Sequence, residues 1–169
     1  MRIFSGSTFD QLTESALGNH RLRQHFNLHQ NYQDPCQRLF NAIEPDSYIR
    51  PHCHGPAQGV ESIFAIRGLM ALVSFDDNGN ILQVQKFGAG RHALMPDVMA
   101  GFEISPSEWH TVVSMEPGSV LLEIKSGPFD PESPKFLAAW AAEEGSEAAI
   151  GYLHSLRFRV AHGDATASI

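Results

Sequence analysis

Cysteine is scarce in this chain, with two, Cys36 and Cys53, in 169 residues. That is too few for a disulfide framework, and it suits a reducing compartment. Long apolar runs are missing too, since nothing approaches the roughly 20 residues that cross a bilayer. The N-terminal MRIFSGSTFDQLTE lacks the apolar stretch of a signal peptide. A soluble, cytoplasmic protein without a membrane partner is therefore expected. Basic residues are in deficit: 12 Lys and Arg against 19 Asp and Glu give a formal charge of −7. A nucleic-acid partner would need a basic face, so that class is set aside. With 43% hydrophobic and 18% charged residues, the chain is expected to fold as one domain rather than stay disordered.

Histidine, in contrast, is plentiful, at nine residues, and it is the commonest metal ligand. The surrounding pattern tells where these histidines fall. Residues 7–17, STFDQLTESAL, predict a short helix, capped by Ser7 or Thr8 and ended by Gly18-Asn19. After RLRQHFNLHQNYQDP the pattern becomes short strands divided by turn residues. These are CQRLFNAI, SYIRPHCH, ESIFAIRG, LMALVSFD, ILQVQKF, HALM, AGFEI, WHTVVSM and SVLLEIKS. Asn78-Gly79 reads as a hairpin loop. Many short strands without helices between them predict an antiparallel sandwich or barrel. Beyond Gly127 the segments FLAAWAAEE and GSEAAIGYLHSLRF predict helices, and AHGDATASI is expected to fray. The chain thus divides into an N-terminal helix and arm (1–35), a β-barrel (36–128) and a helical extension (129–169).

The stretch PHCHGPAQGVESIFAIRG, residues 51–68, carries the chemistry. Strand side chains alternate between faces, so His52 and His54 share one face and Cys53 takes the other. A turn through HGPAQG can fold Glu61 back over the pair. His110, opening the apolar strand of SPSEWHTVV, can supply a third imidazole from a distant strand. A bare H-x-H is a weak signal, but with Glu61 and His110 in an all-β context it predicts one divalent metal per chain. Fe, Mn, Ni and Zn all accept such ligands. Glu61 is read either as the fourth ligand or as a general base.

These residues resemble the cupin superfamily, small β-barrels with two motifs. His52, His54, Glu61 and Gly68 match the first in order, and His110 matches the second. Six residues part His54 from Glu61, where three or four are usual, and Ser107 and Ser114 replace a glycine and an asparagine of the second motif. RLRQHFNLH, DPCQRLFNAIEPDSYIRPHCH, WHTVV, LLEIKSGPFDP and KFLAAWAAEEGS look more specifically like the WbuC family of cupin-fold metalloproteins, over about residues 20–146. The resemblance implies a mostly β, cupin-type antiparallel barrel with a short N-terminal helix and C-terminal helices. It further implies a bound metal, pairing into a homodimer through outward residues such as Phe64 and Ile66, and a link to bacterial surface polysaccharide.

For a substrate, the alternation in QHFNLH aims His25, Asn27 and His29 one way, across the barrel mouth. Tyr48 and Arg50 share the parity of His52 and His54, and an interior Arg suits an anionic ligand. Glu123 and Lys125 read as a surface ion pair. The expectation is a metal-dependent isomerase or oxygenase acting on a small anionic or carbohydrate-derived metabolite. A non-catalytic binding or sensing module with a structural metal is the alternative.

Overall fold

The computed structural model describes residues 1–132 and 135–163. Helix α1 (Gly6–Leu17) leads into strands β1 (Arg23–Asn27), β2 (Cys36–Ile43), β3 (His52–Cys53), β4 (Glu61–Arg67), β5 (Leu69–Phe75) and β6 (Ile81–Gly88). Strands β7 (Val98–Met99), β8 (Gly101–Ile104), β9 (Trp109–Ser114), β10 (Ser119–Ser126) and β11 (Phe136–Leu137) follow, and helix α2 (Glu147–His162) comes last. The strands form a five-stranded sheet, β1-β2-β10-β4-β8, and a six-stranded sheet, β11-β3-β9-β5-β6-β7. All pairings are antiparallel except β6 with β7.

Period-two alternation builds the layers. Ile43, Ile63, Met70, Leu72, Val112 and Leu121 meet between the two sheets. On the outer side of the five-stranded sheet, Phe40, Ala42 and Val120 pack against Leu12 and Ala16 of α1. On the outer side of the six-stranded sheet, Ala71, Val73, Phe75 and Val113 receive Leu153, Leu156 and Val160 of α2. Each sheet thus has an apolar outer face covered by a helix, and the space between the sheets is free to carry polar groups at one end.

Several local expectations need correction. Helix α1 begins one turn position earlier than predicted, with Ser5 as N-cap, its N–H donating to Thr8 Oγ1 at 3.2 Å. HALM is no strand: Gly90–Leu94 is a 3₁₀ turn. In SYIRPHCH only His52–Cys53 pairs, because Pro51 has no N–H to give a ladder. FLAAWAAEE is not a helix. Phe136 and Leu137 pair with Cys53 and His52, and the Ala138 N–H donates to the Pro51 carbonyl at 2.9 Å. Trp140 then packs on Phe75, with ring centroids 5.0 Å apart. These tertiary contacts override a strong intrinsic helix propensity, so the C-terminal extension has one helix among the described residues. The tail 164–169, expected to fray, lies outside them, as do residues 133–134 of the predicted loop. In the β5–β6 hairpin Gly79 has φ +88° but Asn78 does not share the left-handed region. The Gly79 N–H donates to the Asp76 carbonyl at 3.1 Å, the pattern of a turn closed by a left-handed glycine rather than an Asn-Gly two-residue turn. No helix among the described residues is long and apolar enough to cross a membrane.

Candidate metal centre

His52 on β3 stands directly opposite His110 on β9, and the two ring centroids are 4.6 Å apart. His54 follows β3 on the same face, and Glu61 opens β4 in the facing sheet. The result is a buried group whose four ligand atoms all lie within 4.8 Å of one another. Glu61 Oε2 is 3.1 Å from His54 Nε2 and 3.3 Å from His110 Nε2. Ligands bound at about 2.1 Å to one ion would stand about 3.0 Å apart at a right angle and about 3.4 Å apart at a tetrahedral angle. The two Glu61 spacings match those of ligands to one small cation.

The histidine hydrogen bonds point the same way. His52 Nδ1 donates to the Arg50 carbonyl at 3.0 Å, and His110 Nδ1 to the Glu108 carbonyl at 2.8 Å. His54 Nδ1 donates to Gln58 Oε1 at 3.0 Å. Each ring spends its Nδ1 proton outward and turns Nε2 inward. Outer acceptors of this kind orient metal-bound imidazoles. With Nδ1 protonated, an inward Nε2 offers a lone pair unless the ring is an imidazolium. Three such nitrogens around a carboxylate make a site that a cation satisfies.

The long turn between His54 and Glu61 has a structural use. Residues Pro56–Gln58 form a 3₁₀ turn that places Gln58 beside His54. The Gln58 carbonyl is anchored by Ser126 Oγ of β10 at 2.7 Å. The extra residues thus supply the orienting group for His54, and Glu61 still reaches the other three side chains. Cys53 is buried on the opposite face, as alternation requires, and burial pushes its thiol up.

Burial pushes the His52 imidazole well below its ordinary value, with the nearby cation Lys135 adding to the effect. Burial alone would raise the Glu61 carboxyl. The close His110 and His54 rings, with the charge of Lys125, outweigh it and hold Glu61 well below the usual carboxylate range. A neutral His52 and an ionised Glu61 are the protonation states a metal requires of its ligands.

Above the cluster opens a cavity of about 210 Å³. Ile49, Ile104 and Val112 wall it, and Arg21, Arg23, Lys125 and Lys135 line it with Glu123 and Asn41. Of the substrate-binding candidates, only His25 lines this cavity. Its ring is pushed down to about 4, by burial first and then by Arg23. The residue as a whole stays exposed, yet the surrounding cations favour the same neutral state.

The other four candidates lie elsewhere. Asn27 is exposed at the end of β1. His29 is buried with its Nδ1 2.9 Å from the Arg38 carbonyl, because the N–H groups of both Leu28 and His29 turn to that carbonyl and break the alternation. Tyr48 donates its hydroxyl to the Ala142 carbonyl at 2.8 Å and packs edge-on against Tyr152 of α2. Arg50 donates through Nε and Nη2 to the Ala138 carbonyl at 3.1 and 2.8 Å. No continuous strand joins residues 48 to 54, so parity does not carry from the histidines back to Tyr48 and Arg50.

Glu123 and Lys125 require the opposite correction. They form an ion pair at 3.0 Å, but one facing the cavity rather than solvent. The register places Lys125 opposite Glu61, and Glu123 opposite Ile63. Burial and the nearby Glu61 push the Glu123 carboxyl up, against the pull of Lys125. Burial disfavours the Lys125 ammonium, but Glu123 and Glu61 more than offset that and keep it charged. The readable signal was the shared parity of Leu121, Glu123 and Lys125; what alternation cannot say is which face turns inward.

Comparisons with known proteins fit this geometry. A family model described as a domain of unknown function, DUF6016, matches residues 4–87. No curated protein matches the chain. An uncharacterized conserved protein of Klebsiella pneumoniae with a double-stranded β-helix domain is similar in structure, with a TM-score of 0.53 and 16% identity. The likeness covers 82% of this chain and 97% of that one. A protein of Shewanella oneidensis has the same TM-score at 10% identity, over 81% of this chain and 83% of that one. KdgF from Halomonas sp. is 13% identical, with a TM-score of 0.47 over 62% of this chain and 80% of that one. The fold is therefore a double-stranded β-helix, with a buried His₃Glu cluster between its sheets.

Proposed function

We propose that this protein is a mononuclear divalent-metal enzyme of the cupin type, acting on a small anionic metabolite. The observation that carries the reading is the convergence of three inward Nε2 atoms and Glu61 Oε2 at the base of a cation-lined cavity. A bound divalent ion would supply Lewis-acid polarisation of a carbonyl or hydroxyl, or activation of water or O₂. His52, His54 and His110 hold the ion, and Glu61 completes the set or takes a proton at its carboxylate. His25, neutral at the mouth, orients the ligand.

The cavity, at about 210 Å³, falls below the usual range for drug-sized ligands. This favours a short acid over an intact sugar nucleotide. The WbuC resemblance favours a carbohydrate-derived acid among such molecules, linked to surface polysaccharide, and a cytoplasmic homodimer. In a dimer Phe64, 41% exposed, is the better contact residue, since Ile66 is packed into the cluster under α1.

Metal analysis of untagged protein tests the central claim, with one ion per chain expected. Undiminished metal in a His52→Ala, His54→Ala double variant would refute it. Four protein donors also equal the number that closes a structural zinc site, which favours a binding module as the second reading. A solvent- or acid-derived ligand on the ion supports the enzyme, and a fully protein-coordinated ion supports the module.

A further inference from the structure

A chain with a formal charge of −7 gathers four of its twelve Lys and Arg side chains around one cavity. Glu61 and Glu123 answer them from within, and Glu144 from outside, bound by Arg21 and Arg23. One positive charge is left over, and a divalent ion would raise the surplus to three. Such a surplus in a partly apolar cavity attracts anions and repels cations.

These cations are not equivalent. Arg23 is committed to the fold, since its guanidinium donates to the Tyr48 carbonyl at 2.8 Å, to Ser47 Oγ at 3.3 Å and to Glu144 at 2.6 Å. Lys125 is held differently. Glu123 takes one of its three N–H bonds at 3.0 Å, and Glu61 stands beyond hydrogen-bond distance at 3.9 Å. Its ammonium lies 5.7 Å above the Phe129 ring centroid, and β10 pairing fixes it opposite Glu61, at the level of the histidine cluster. Further along the same wall, Asn41 is 6% exposed and its Oδ1 has no hydrogen-bond partner among the described residues. Asn41 sits opposite Leu121 on β2 and lines the same cavity, so its amide is another polar group turned toward a ligand.

We infer that Lys125 is the specificity-determining residue of this site: it receives the carboxylate of a short, doubly charged carboxylic acid whose other end lies at the His₃Glu cluster. Glu123 pairs with the same ammonium and competes with the ligand's carboxylate for it. The inference rests on the proposed metal centre. It adds a substrate class, small dicarboxylates, and assigns the residue that selects it.

The test uses the full chain loaded with Co(II), titrated calorimetrically with malonate and with neutral malonamide. Wild type is expected to bind malonate, and malonamide far more weakly. K125M should retain one metal per chain and lose about tenfold or more in malonate affinity, the usual scale for a charged hydrogen bond. K125R should recover part of the loss. E123Q should tighten malonate binding, because it removes a competing negative charge while leaving the lysine. A purely structural ion pair predicts the reverse, with E123Q weakening binding as much as K125M. That result, or wild-type affinity in K125M, overturns the inference. Should K125M fail to fold, the direction of the E123Q effect decides alone. A wild type that holds metal but ignores malonate sinks the lysine's role and spares the metal centre. A wild type that holds no metal but binds malonate through Lys125 does the opposite.

Discussion

His110→Ala is the cleanest separation of metal binding from folding. The side chain is 3% exposed and stands in register with His52, 3.3 Å through Nε2 from Glu61 Oε2. Its neighbours toward the cavity are polar, so truncation enlarges a site that water can enter rather than opening a dry void. The metal-free variant should therefore melt close to metal-free wild type. Metal affinity should fall by about 100-fold or more, since loss of an outer orienting group alone costs 10- to 100-fold. At a free metal concentration 100 times the wild-type Kd, linkage stabilises wild type by about 2.7 kcal/mol and the variant by about 0.4 kcal/mol. For a chain of this size each kcal/mol moves Tm by about 2–4 °C. The metal-dependent rise should thus be about 5–11 °C in wild type and about 1 °C in the variant. Thermal unfolding with and without chelator, beside metal stoichiometry, makes the measurement. A variant that keeps one ion per chain and the full rise would refute the site; one that melts low even under chelator would refute the separation.

Other outcomes follow from the same geometry. Gln58→Leu removes the acceptor that orients His54 and should weaken metal binding by about 10- to 100-fold while the secondary structure seen by circular dichroism stays unchanged. Acid should destabilise the metal-free protein from about pH 6.5 downward. The folded state keeps His52 neutral, with its value well below the ordinary 6.5. The unfolded chain therefore binds the extra proton in that window, and stability falls with pH by at most about 1.4 kcal/mol per unit per proton. Denaturant titrations from pH 7.5 to 5.5 read this slope, and His52→Gln should reduce it, leaving the part that His25, held at about 4, contributes. Gly68→Ala should cost about 2 kcal/mol or more in chemical denaturation. Gly68 has φ +78°, and an added Cβ would meet Ser119 Cα at 2.9 Å.

How far the sequence reads into the structure depends on the range over which each rule acts. Alternation within one short strand is local, and it correctly paired His52 with His54 and turned Cys53 away. Turn chemistry is also local, and it placed the Asn78-Gly79 hairpin. Both rules fail where the ladder is interrupted. Parity counted from His52 back to Arg50 and Tyr48 crosses Pro51 and a segment without strand pairing, and the two side chains point at the Ala138 and Ala142 carbonyls instead. The deeper failure concerns β10. Alternation sorted Val120 and Leu122 from Glu123 and Lys125, and the usual rule that apolar faces turn inward assigned the charged pair to solvent. Yet α1 buries the apolar face from outside, which leaves the other face to line the barrel. A strand between a covering helix and a polar cavity inverts that rule. Only the pairing of Lys125 with Glu61, a long-range register, shows which way the strand is turned. An isolated polar pair on a strand beside an apolar row is therefore compatible with either face. The deciding feature elsewhere in this sequence was the helix STFDQLTESAL, whose apolar residues needed a sheet to cover.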